Sequence, residues 1–404
     1  MTEVKSRAGW EQLMELHQDE GALMGELGGI PVPRHYGDPT AEYAAATGEG
    51  AVLDRSHRAL LPVEGRAPAQ MLTGIVSGRM PPDPTEVEPG VWRGQAHYST
   101  VLTPKGKVVT DLRLFRLEGG DEGGHLMDVP RSGLDGLQEH LKRYLPPRMA
   151  KVVEPTDPLG LITVTGSRAA SLLSREALGL RVDVPELEAM AEGEERVVAD
   201  GSVTGIRVVR NGDVAPAAFD VLAAAGTLRS LWLRLRELGL AAAGSGVWHT
   251  LQMEHGRPAY GQELDRDTLL PEAGIVARAV DHQKGCYTGQ EVIVRIRDRG
   301  RVNRHLRGLF LGDHPTPSPG TPLFIEGRDR PAGEIRSTAQ SPRFGQGIAL
   351  GYLRREAEPP TTARLGAEDG PEVDVRALSD EGWELAEGDP GVEGHPSAGA
   401  GSGD

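Results

Sequence analysis

The 404 residues suffice for two or three domains, and a composition that is 38% hydrophobic and 25% charged is typical of a globular protein. A formal net charge of −15 argues against direct nucleic-acid binding, and a single cysteine together with dispersed histidines excludes an internal disulfide and predicts no protein-held metal. The N-terminus lacks the apolar core of a signal peptide and no apolar stretch is long enough to span a bilayer, so we expect a cytoplasmic protein without membrane contact.

The first 150 residues alternate irregularly between helical and extended patterns. Apolar periodicity predicts helices at residues 10–24, 39–49 and 68–78 and in LDGLQEHLKRYL. In the second of these helices Thr40 is the predicted N-cap and Gly48 the predicted end. Strands are predicted in AVLDRSHRALLPVEG and GHLMDVP. The clearest hairpin is residues 97–117, where two β-rich runs flank a turn at Gly106.

The middle of the chain repeats this irregular order, and the C-terminal part differs from it. Strands are predicted at 160–165 and 202–209, and helices at 167–178, 184–192 and 227–238. The fold class is therefore α+β with antiparallel sheets. From residue 301, short strands separated by Gly and Pro predict a small all-β barrel or sandwich. From residue 383 to the end the chain is acidic and poor in apolar residues, and a disordered tail is predicted.

The only cysteine, Cys286, lies in the stretch KGCYTGQE at residues 284–291. A nearby cation such as Lys284 favours the reactive thiolate, and flanking glycines allow a turn that exposes the sulfur. A helix is predicted from Thr288 to a stop at Gly300, although the run of β-branched residues also permits a strand. A free cysteine is usually a small buried hydrophobe, and that alternative stays open here.

Asp111 is the second candidate, because it lies among apolar residues on the second strand of the 97–117 hairpin. A carboxylate in such a strand either faces water or is buried with a partner, and alternation alone favours the wet face. If it is buried in a cavity, it can accept a hydrogen bond from an amine of a ligand. Tyr98, on the facing strand, would line the same cavity.

Two further patterns carry less weight. Six arginines between residues 295 and 307 form a basic stripe, which favours a solvated helix face over a contact with RNA or a polyanionic ligand. The GSG at residues 244–246 lacks the third glycine of a dinucleotide loop, since His249 stands in its place. A dinucleotide site is therefore rejected.

These stretches together resemble one known family. KGCYTGQE is similar to the motif of the folate-binding YgfZ family, which is associated with tRNA modification and iron–sulfur maturation and is related to the glycine-cleavage T-protein, an aminomethyltransferase. Other stretches resemble the wider superfamily in the expected order, between about residue 25 and residue 378: GGIPVPRHYGDPTAEYAA, LDRSHRALLPVEG, YSTVLTPKGKVVTDLRLFRL, TLQMEHGRPAYGQEL and GEIRSTAQSPRFGQGIALGYL.

The resemblance implies an α+β, three-domain T-protein-like fold around a central cavity that holds tetrahydrofolate non-covalently. Residues 1–60 with 157–245 would form the first domain, and residues 61–156 with 246–300 the second, which carries the hairpin and the cysteine motif. A small β-barrel is expected at 301–382, followed by the disordered acidic tail at 383–404.

The resemblance also implies roles for individual residues. The T-protein hairpin carries two aspartates, of which the second contacts the reacting centre on the folate; here the pair is Thr110-Asp111. The predicted folate-binding residues are Tyr98, Asp111, Arg210, Tyr287, Gln290 and Glu291. The stretch RNGDVAPAAFDV, residues 210–221, lacks the glutamate that grips the pterin in the T-protein. Trp248 and His249 replace an arginine and an aspartate of that family.

The preferred hypothesis is a folate-binding accessory protein of iron–sulfur maturation or repair and, through it, of tRNA modification. Cys286 would be its reactive thiol at the rim of the cavity, Lys284 the activating cation and Asp111 the acceptor for a folate amine. The expected partners are a reduced folate and iron–sulfur enzymes or their assembly proteins. The alternative is a tetrahydrofolate-dependent aminomethyltransferase, which needs a carboxylate such as Asp111 and no cysteine. A scaffold that has lost its ligand is a third hypothesis.

Overall fold

Two antiparallel sheets packed face to face carry the residues of interest. The structure, a computed structural model, describes residues 8–119, 123–155, 157–202, 204–215, 217–379, 382–385 and 388–390. It divides into two units, Met1–Gln252 with Pro258–Arg301, and Met253–Arg257 with Val302–Asp404. Both sheets belong to the first unit, and the second unit is built on a β-barrel.

The helices of the described residues are α1 Ala8–Asp19, α2 Pro39–Thr47, α3 Pro68–Thr73, α4 Leu134–Tyr144, α5 Ala169–Leu172, α6 Arg175–Leu178, α7 Val184–Glu188, α8 Ala225–Glu237, α9 Ser245–Glu254, α10 Val276–Ala279 and α11 Gln290–Arg299. The strands of the first unit are β1 Leu23–Leu27, β2 Ile30–His35, β3 Ala51–Asp54, β4 Ala59–Gly65, β5 Thr85–Glu88, β6 Val91–Gln95, β7 His97–Leu102, β8 Val108–Arg116, β9 His125–Val129, β10 Ala150–Val152, β11 Leu159–Thr165, β12 Glu194–Val198, β13 Ile206–Asn211, β14 Ala218–Ala224 and β15 Ala241–Ala242. Those of the second unit are β16 Arg304–Phe310, β17 Pro322–Phe324, β18 Gly333–Ser341, β19 Gln346–Arg354, β20 Thr361–Leu365, β21 Glu372–Arg376, β22 Leu378–Ser379 and β23 Gly382–Trp383.

The two large sheets have the orders β10-β4-β9-β8-β7 and β15-β3-β11-β14-β13-β12-β6-β5. Their neighbouring strands are antiparallel except for the parallel pair β15 and β3. The expected α+β class with antiparallel sheets is therefore confirmed. Strands β5 and β6 join the larger sheet, although residues 61–156 were assigned to the second domain. The division of the chain into domains stays a prediction.

A shared apolar layer lies between the sheets. Phe115 and Leu126 of the smaller sheet pack with Leu161, Val209 and Leu222 of the larger one. The outer face of the larger sheet is covered by α1, α5, α7 and α8, and that of the smaller sheet by α3 and α4. Each sheet thus has one helix-covered face and one face turned toward the other sheet.

The β7–β8 hairpin follows the prediction, with Gly106 in its turn at φ +72°. A side chain at Gly106 would also lie 2.8 Å from Val292 of α11, so this position excludes larger residues on two grounds. Alternation along β8 sends Leu112 and Leu114 to the α3 and α4 side. Asp111, Arg113 and Phe115 then share the face that meets the larger sheet.

Two local predictions can be checked against helix ends. The N-cap of α2 is Asp38 and not Thr40: Asp38 Oδ1 accepts hydrogen bonds from the backbone N–H groups of Thr40 and Ala41, at 3.0 and 3.1 Å. A carboxylate one residue before proline at N1 caps the helix better than a hydroxyl inside its first turn. Gly48 ends the helix as predicted, and residues 290–299 form a helix rather than a strand.

In the second unit the strands close into a six-stranded barrel, β16-β19-β18-β17-β20-β21, which confirms the C-terminal barrel. Trp383, assigned to the disordered tail, instead stacks on Phe310 at 4.9 Å, and its Nε1 donates to the Met253 carbonyl at 2.8 Å. A large aromatic residue can bury enough surface to order the chain around it. Residues 391–404 of the predicted tail lie outside the described residues.

Among the described residues, none of the helices combines the length and the apolar character that crossing a membrane requires. The expected location in the cytoplasm stays a prediction.

Candidate functional site

A cavity opens between the two sheets where the inner face of β8 carries polar residues. Its volume is about 150 Å³, counted as the positions that the centre of a water molecule can occupy. Its wall includes Asp111 of β8, Tyr98 of β7, Asp213 of the β13–β14 connection, Trp248 of α9 and Tyr260 of the following loop. Residues far apart in sequence therefore meet at one small polar space within the first unit.

Asp111 is the carboxylate that faces this space. It is 8% exposed, and its Oδ2 accepts a hydrogen bond of 3.0 Å from the Tyr98 hydroxyl. Its Oδ1 is buried and has no hydrogen-bond partner among the described residues. Burial raises the pKa of Asp111 to about 6, although the positive charge of Arg58 and the hydrogen bond from Tyr98 act in the opposite direction. The wet-face alternative for Asp111 is excluded by this burial.

The arginines around Asp111 are already paired with other carboxylates. Arg58 Nε donates to Asp128 Oδ1 at 2.5 Å, and Arg113 Nε donates to Asp128 Oδ2 at 2.9 Å. Arg113 also forms an ion pair of 2.5 Å with Asp220, which pairs in turn with Arg55 at 3.2 Å. The result is an alternating row of charges between the sheets, and none of the described ion pairs includes Asp111. Asp111 therefore keeps a raised pKa beside several arginines.

Tyr98 is held from its other side by Arg278, a residue of α10. The guanidinium carbon lies 4.4 Å from the centre of the Tyr98 ring. Arg278 also pairs with Asp213 at 2.6 Å and with Glu192 at 2.5 Å. Burial, with the nearby charge of Asp111, raises the pKa of Tyr98 well above its ordinary value. The phenol thus stays protonated and donates to Asp111.

A second cavity, of about 200 Å³, lies beside the first and shares four wall residues with it: Tyr98, Arg113, Asp213 and Arg278. Arg210, a predicted folate ligand, lines this second cavity and not the first. Its guanidinium lies 5.1 Å from the ring of Phe219, which belongs to the helix-covered core of the larger sheet. The structure therefore does not bring Arg210 to Asp111.

None of the motif residues 284–291 is among the residues that line either cavity. Cys286 is exposed, so the buried-hydrophobe alternative is wrong, but it does not share a cavity wall with Asp111. The Lys284 ammonium donates to the carbonyls of Val76 and Gly78, at 2.5 and 3.0 Å. Burial lowers the pKa of Lys284 to about 8. The predicted cation is therefore bound to backbone carbonyls.

The other predicted ligands of the motif have packing roles or face solvent. Tyr287 is 6% exposed and packs with Leu102 and Val108 of the hairpin, and burial raises its pKa to about 12. Gln290 begins α11, and Glu291 is exposed. The motif is thus seated against the turn end of the hairpin, where a side chain at Gly289 would lie 2.6 Å from the Thr103 carbonyl oxygen.

Thr110 stands where the T-protein hairpin has its first aspartate, and it does not line the cavity. Thr110 is fully buried and points to the opposite face of β8, where a side chain at Gly133 would lie 2.0 Å from its Oγ1. Sequence analysis missed Arg113, although its spacing of two from Asp111 on one strand signals a shared face. No local pattern signalled Asp213 or Arg278, because only tertiary packing brings them to Tyr98.

Two family models cover most of the chain. Residues 13–284 match the GCVT N-terminal domain, and residues 304–379 match the glycine cleavage T-protein C-terminal barrel domain. An aminomethyltransferase of Rubrobacter xylanophilus is 29% identical over 353 residues, which are 86% of this chain and 87% of that protein. One of Corynebacterium jeikeium is 27% identical over 391 residues, with 93% and 95% covered.

A solved structure shows the same fold. The glycine cleavage system aminomethyltransferase T from Bartonella henselae superposes with a TM-score of 0.76 at 19% identity, covering 92% of this chain and 98% of that one. The likeness supports the predicted T-protein-like architecture, with its closed C-terminal barrel.

These relatives correct the preferred functional hypothesis. Curated relatives that match over most of the chain are named aminomethyltransferase, so the role as an accessory protein of iron–sulfur maturation and tRNA modification is wrong. The iron–sulfur partners have no support either. Tetrahydrofolate, the predicted ligand, is the one that the matched family binds. Since one family model alone spans residues 13–284, the chain belongs to the glycine cleavage T-protein family.

Proposed function

We propose that the chain is an aminomethyltransferase that transfers a one-carbon unit to tetrahydrofolate. The observation that carries this proposal is the state of Asp111: a buried carboxylate, outside every described ion pair, with one oxygen free of protein partners at a cavity. A buried acceptor without a partner is costly, and it is explained by a ligand N–H that completes it. The named relatives support the same activity.

The residues present fit a reduced pterin. Asp111 Oδ1 supplies a hydrogen-bond acceptor, while the rings of Tyr98, Trp248 and Tyr260 supply apolar surface in the cavity wall. Trp248 itself is held by the guanidinium of Arg55, which lies 3.6 Å from the ring centre. A cavity with an aromatic lining and a few polar groups is the usual form of a site for a small planar ligand.

Asp213 is the carboxylate that we assign to pterin recognition in place of the absent glutamate. It comes from residues 210–221, the stretch in which that glutamate is missing, and it lines the Asp111 cavity. Burial would raise its pKa, but Arg278, Arg113 and Arg55 outweigh that effect and hold the pKa well below the usual range. It is therefore ionised at any pH at which the protein functions, and it can accept an N–H.

Asp111 has the proton affinity that the chemistry needs. Tetrahydrofolate, when bound, would offer a nitrogen as the acceptor of the one-carbon unit, and Asp111 Oδ1 would accept the proton that this nitrogen loses. With a pKa of about 6, the carboxylate is mostly ionised at neutral pH and is a stronger base than an exposed aspartate. Tyr98 keeps Oδ2 occupied, so Oδ1 is the oxygen left for the proton.

The test uses Asp111→Asn, which keeps the shape of the side chain and the acceptor for Tyr98 but removes the base. We expect aminomethyl transfer to tetrahydrofolate to fall by about 10²–10⁴-fold, while tetrahydrofolate binding measured by calorimetry changes by less than about tenfold. Asp267→Asn is the matched control, because Asp267 is exposed and pairs with Lys107 at 2.7 Å outside the cavity. Unchanged transfer in Asp111→Asn, or no saturable binding of tetrahydrofolate by the wild-type protein, contradicts the proposal.

We also propose that the chain lies in the folate-binding YgfZ branch of the family, because KGCYTGQE at residues 284–291 resembles the motif of that branch. The packing of Gly289 against the hairpin turn supports a structural role for its glycine. This assignment carries no iron–sulfur role. Because Cys286 is exposed and does not line the Asp111 cavity, we expect it to take no part in aminomethyl transfer.

A further inference from the structure

Arg278 is one of the residues that form the wall between the two cavities. Arg278 lines both cavities, and its side chain is 13% exposed. It lies on α10, a helix of four residues, and not on a strand of either large sheet. Tyr98 and Asp213, which it contacts, come from the smaller sheet and from a connection of the larger sheet. Arg278 therefore joins parts of the site that no strand pairing holds together.

The contacts of Arg278 are directional. One terminal nitrogen lies 2.6 Å from Asp213 Oδ1 and 2.5 Å from Glu192 Oε1, while Nε also donates to Glu192 at 2.9 Å. With those contacts made, the guanidinium carbon lies 4.4 Å from the centre of the Tyr98 ring. A lysine would keep the charge but has neither the fork of donors nor the flat surface. The geometry thus requires arginine rather than any cation.

We infer that Arg278 is a positioning residue for the transfer reaction, which holds the Tyr98 phenol against Asp111 and neutralises Asp213 at the wall between the cavities. This inference rests on the proposed function of Asp111. The contacts that link Arg278 to Asp111 run through Tyr98 and Asp213. Its removal would both release the ring that donates to Asp111 Oδ2 and leave the Asp213 carboxylate without its partner in the same wall.

Both consequences raise the proton affinity of Asp111. The groups that act on it are Arg58, ahead of β4, and Tyr98 of β7, which stabilise its ionised form, and the carboxylates Asp213 and Asp128, which oppose it. Asp128 is already neutralised by Arg58 and Arg113, so its effect does not change when Arg278 is replaced. Asp213 loses its nearest cation. Arg113 and Arg55 still act on Asp213, but without the ion pair to Arg278 its negative charge is less compensated and disfavours ionisation of Asp111 more strongly.

The experiment compares four forms of the full-length protein: wild type, Arg278→Met, Arg278→Lys and the double variant Arg278→Met with Asp213→Asn. The first readout is the carboxyl ¹³C titration of Asp111 in ligand-free protein labelled at aspartate. The second is the acid limb of the pH profile of kcat/KM for aminomethyl transfer. Arg295→Met, an exposed arginine of α11, is the control for loss of an arginine.

In Arg278→Met we expect both the titration midpoint of Asp111 and the acid limb to move upward by about 0.5–1 pH unit. The double variant should return them toward the wild-type value, because the second carboxylate is gone. Arg278→Lys should keep the midpoint near that of the wild type but lower kcat/KM by about tenfold, because an ammonium cannot donate to Asp213 and Glu192 and contact the Tyr98 ring with the same geometry. Arg295→Met should change neither readout.

Two results overturn the inference. In one, Arg278→Met lowers stability without moving the Asp111 titration; in the other, the double variant fails to reverse the shift. Failure of the proposed function is a different result, because it appears as a wild-type protein without tetrahydrofolate binding or transfer. The ligand-free titration reports on Arg278 even then, so the two failures are distinguishable.

Discussion

The Tyr98 hydroxyl donates a 3.0 Å hydrogen bond to Asp111 Oδ2 and leaves Asp111 Oδ1 as a buried acceptor at the cavity. The two residues lie on adjacent strands of one hairpin, where Tyr98 pairs with Arg113 and Asp111 pairs with Thr100. A diagonal contact of this kind is within reach of a long aromatic side chain. One carboxylate oxygen of Asp111 is therefore hydrogen-bonded to the protein, and the other is available to a ligand.

Replacing Tyr98 by Phe is expected to shift the pH dependence of transfer. The hydroxyl stabilises the ionised form of Asp111, so its loss raises the pKa of Asp111 above its value of about 6. Since the base acts when ionised, activity should begin to fall at a higher pH than in the wild type. The measurement is kcat/KM between pH 5 and pH 9. An acid limb at the same pH in both proteins would show that Tyr98 does not act on Asp111.

Asp111→Asn is expected to stabilise the folded protein at pH 7.5 although it strongly lowers the rate of transfer. Because the pKa of Asp111 is raised in the folded state, stability linked to its protonation is complete below pH 4 and is lost as pH rises through about 6. The neutral amide avoids a penalty of about 2–3 kcal/mol at high pH. Urea unfolding at pH 7.5 and pH 4 checks this: the gain should be present at the higher pH and small at the lower one. A destabilised variant at pH 7.5 would contradict it.

Asp128→Asn is expected to have the opposite effect. Burial would raise the pKa of Asp128, but Arg58 and Arg113 outweigh it and hold the pKa at about 2. The stability from these pairs is therefore present above pH 4 and lost as pH falls through about 2. Leaving two buried arginines without this partner should cost about 3–5 kcal/mol at pH 7 in urea unfolding.

The control for Asp128→Asn is Asp267→Asn, whose exposed ion pair should be worth no more than about 1 kcal/mol. Equal stability of the two variants would show that the row of charges between the sheets does not support the fold.

The glycines of the cysteine motif provide a matched pair of substitutions. Gly289 has φ +86°, and an added methyl group would lie 2.6 Å from the Thr103 carbonyl oxygen and 2.9 Å from the Leu102 side chain. Gly285, four residues earlier, has open space where a side chain would lie, and its φ is outside the left-handed region that favours glycine. We expect Gly289→Ala to lower stability by about 1–3 kcal/mol and Gly285→Ala to change it by less than about 0.5 kcal/mol in thermal unfolding. Similar losses in both would argue against the seating of the motif on the hairpin turn.

Cys286→Ala separates the two functions that the sequence suggested. The thiol is exposed and does not line the cavity of Asp111, so aminomethyl transfer should stay within about twofold of the wild type. Treatment of the wild-type protein with a thiol-alkylating reagent should modify Cys286 and leave transfer equally intact. A loss of transfer after either change would mean that the sulfur takes part in the reaction and that the assignment to Asp111 is incomplete.

Local chemistry was enough to predict the parts of the protein in which neighbouring residues decide the structure. The hairpin turn follows from Gly106, and the end of the helix at residues 290–299 from Gly300. Short strands divided by Gly and Pro predicted a barrel or a sandwich, and the family resemblance favoured the barrel. The choice of Asp111 and Tyr98 rested on a carboxylate among apolar residues of one strand, a tyrosine on the facing strand and the family resemblance, whereas alternation alone favoured the wet face for Asp111. Each of these patterns involves only a few neighbouring residues, so it can be recognised in the sequence without knowledge of the tertiary contacts.

Tertiary structure alone decided what those residues can do. Alternation states which side chains share a face of β8, but only the opposing sheet makes that face an interior and raises the pKa of Asp111. It also decided that Cys286 is exposed and lies outside the cavity wall, although its motif was the most specific feature of the sequence. Asp213 and Arg278 lie more than 60 residues apart and meet beside Tyr98. Burial and electrostatics depend on distances through space, and a single sequence does not state those distances.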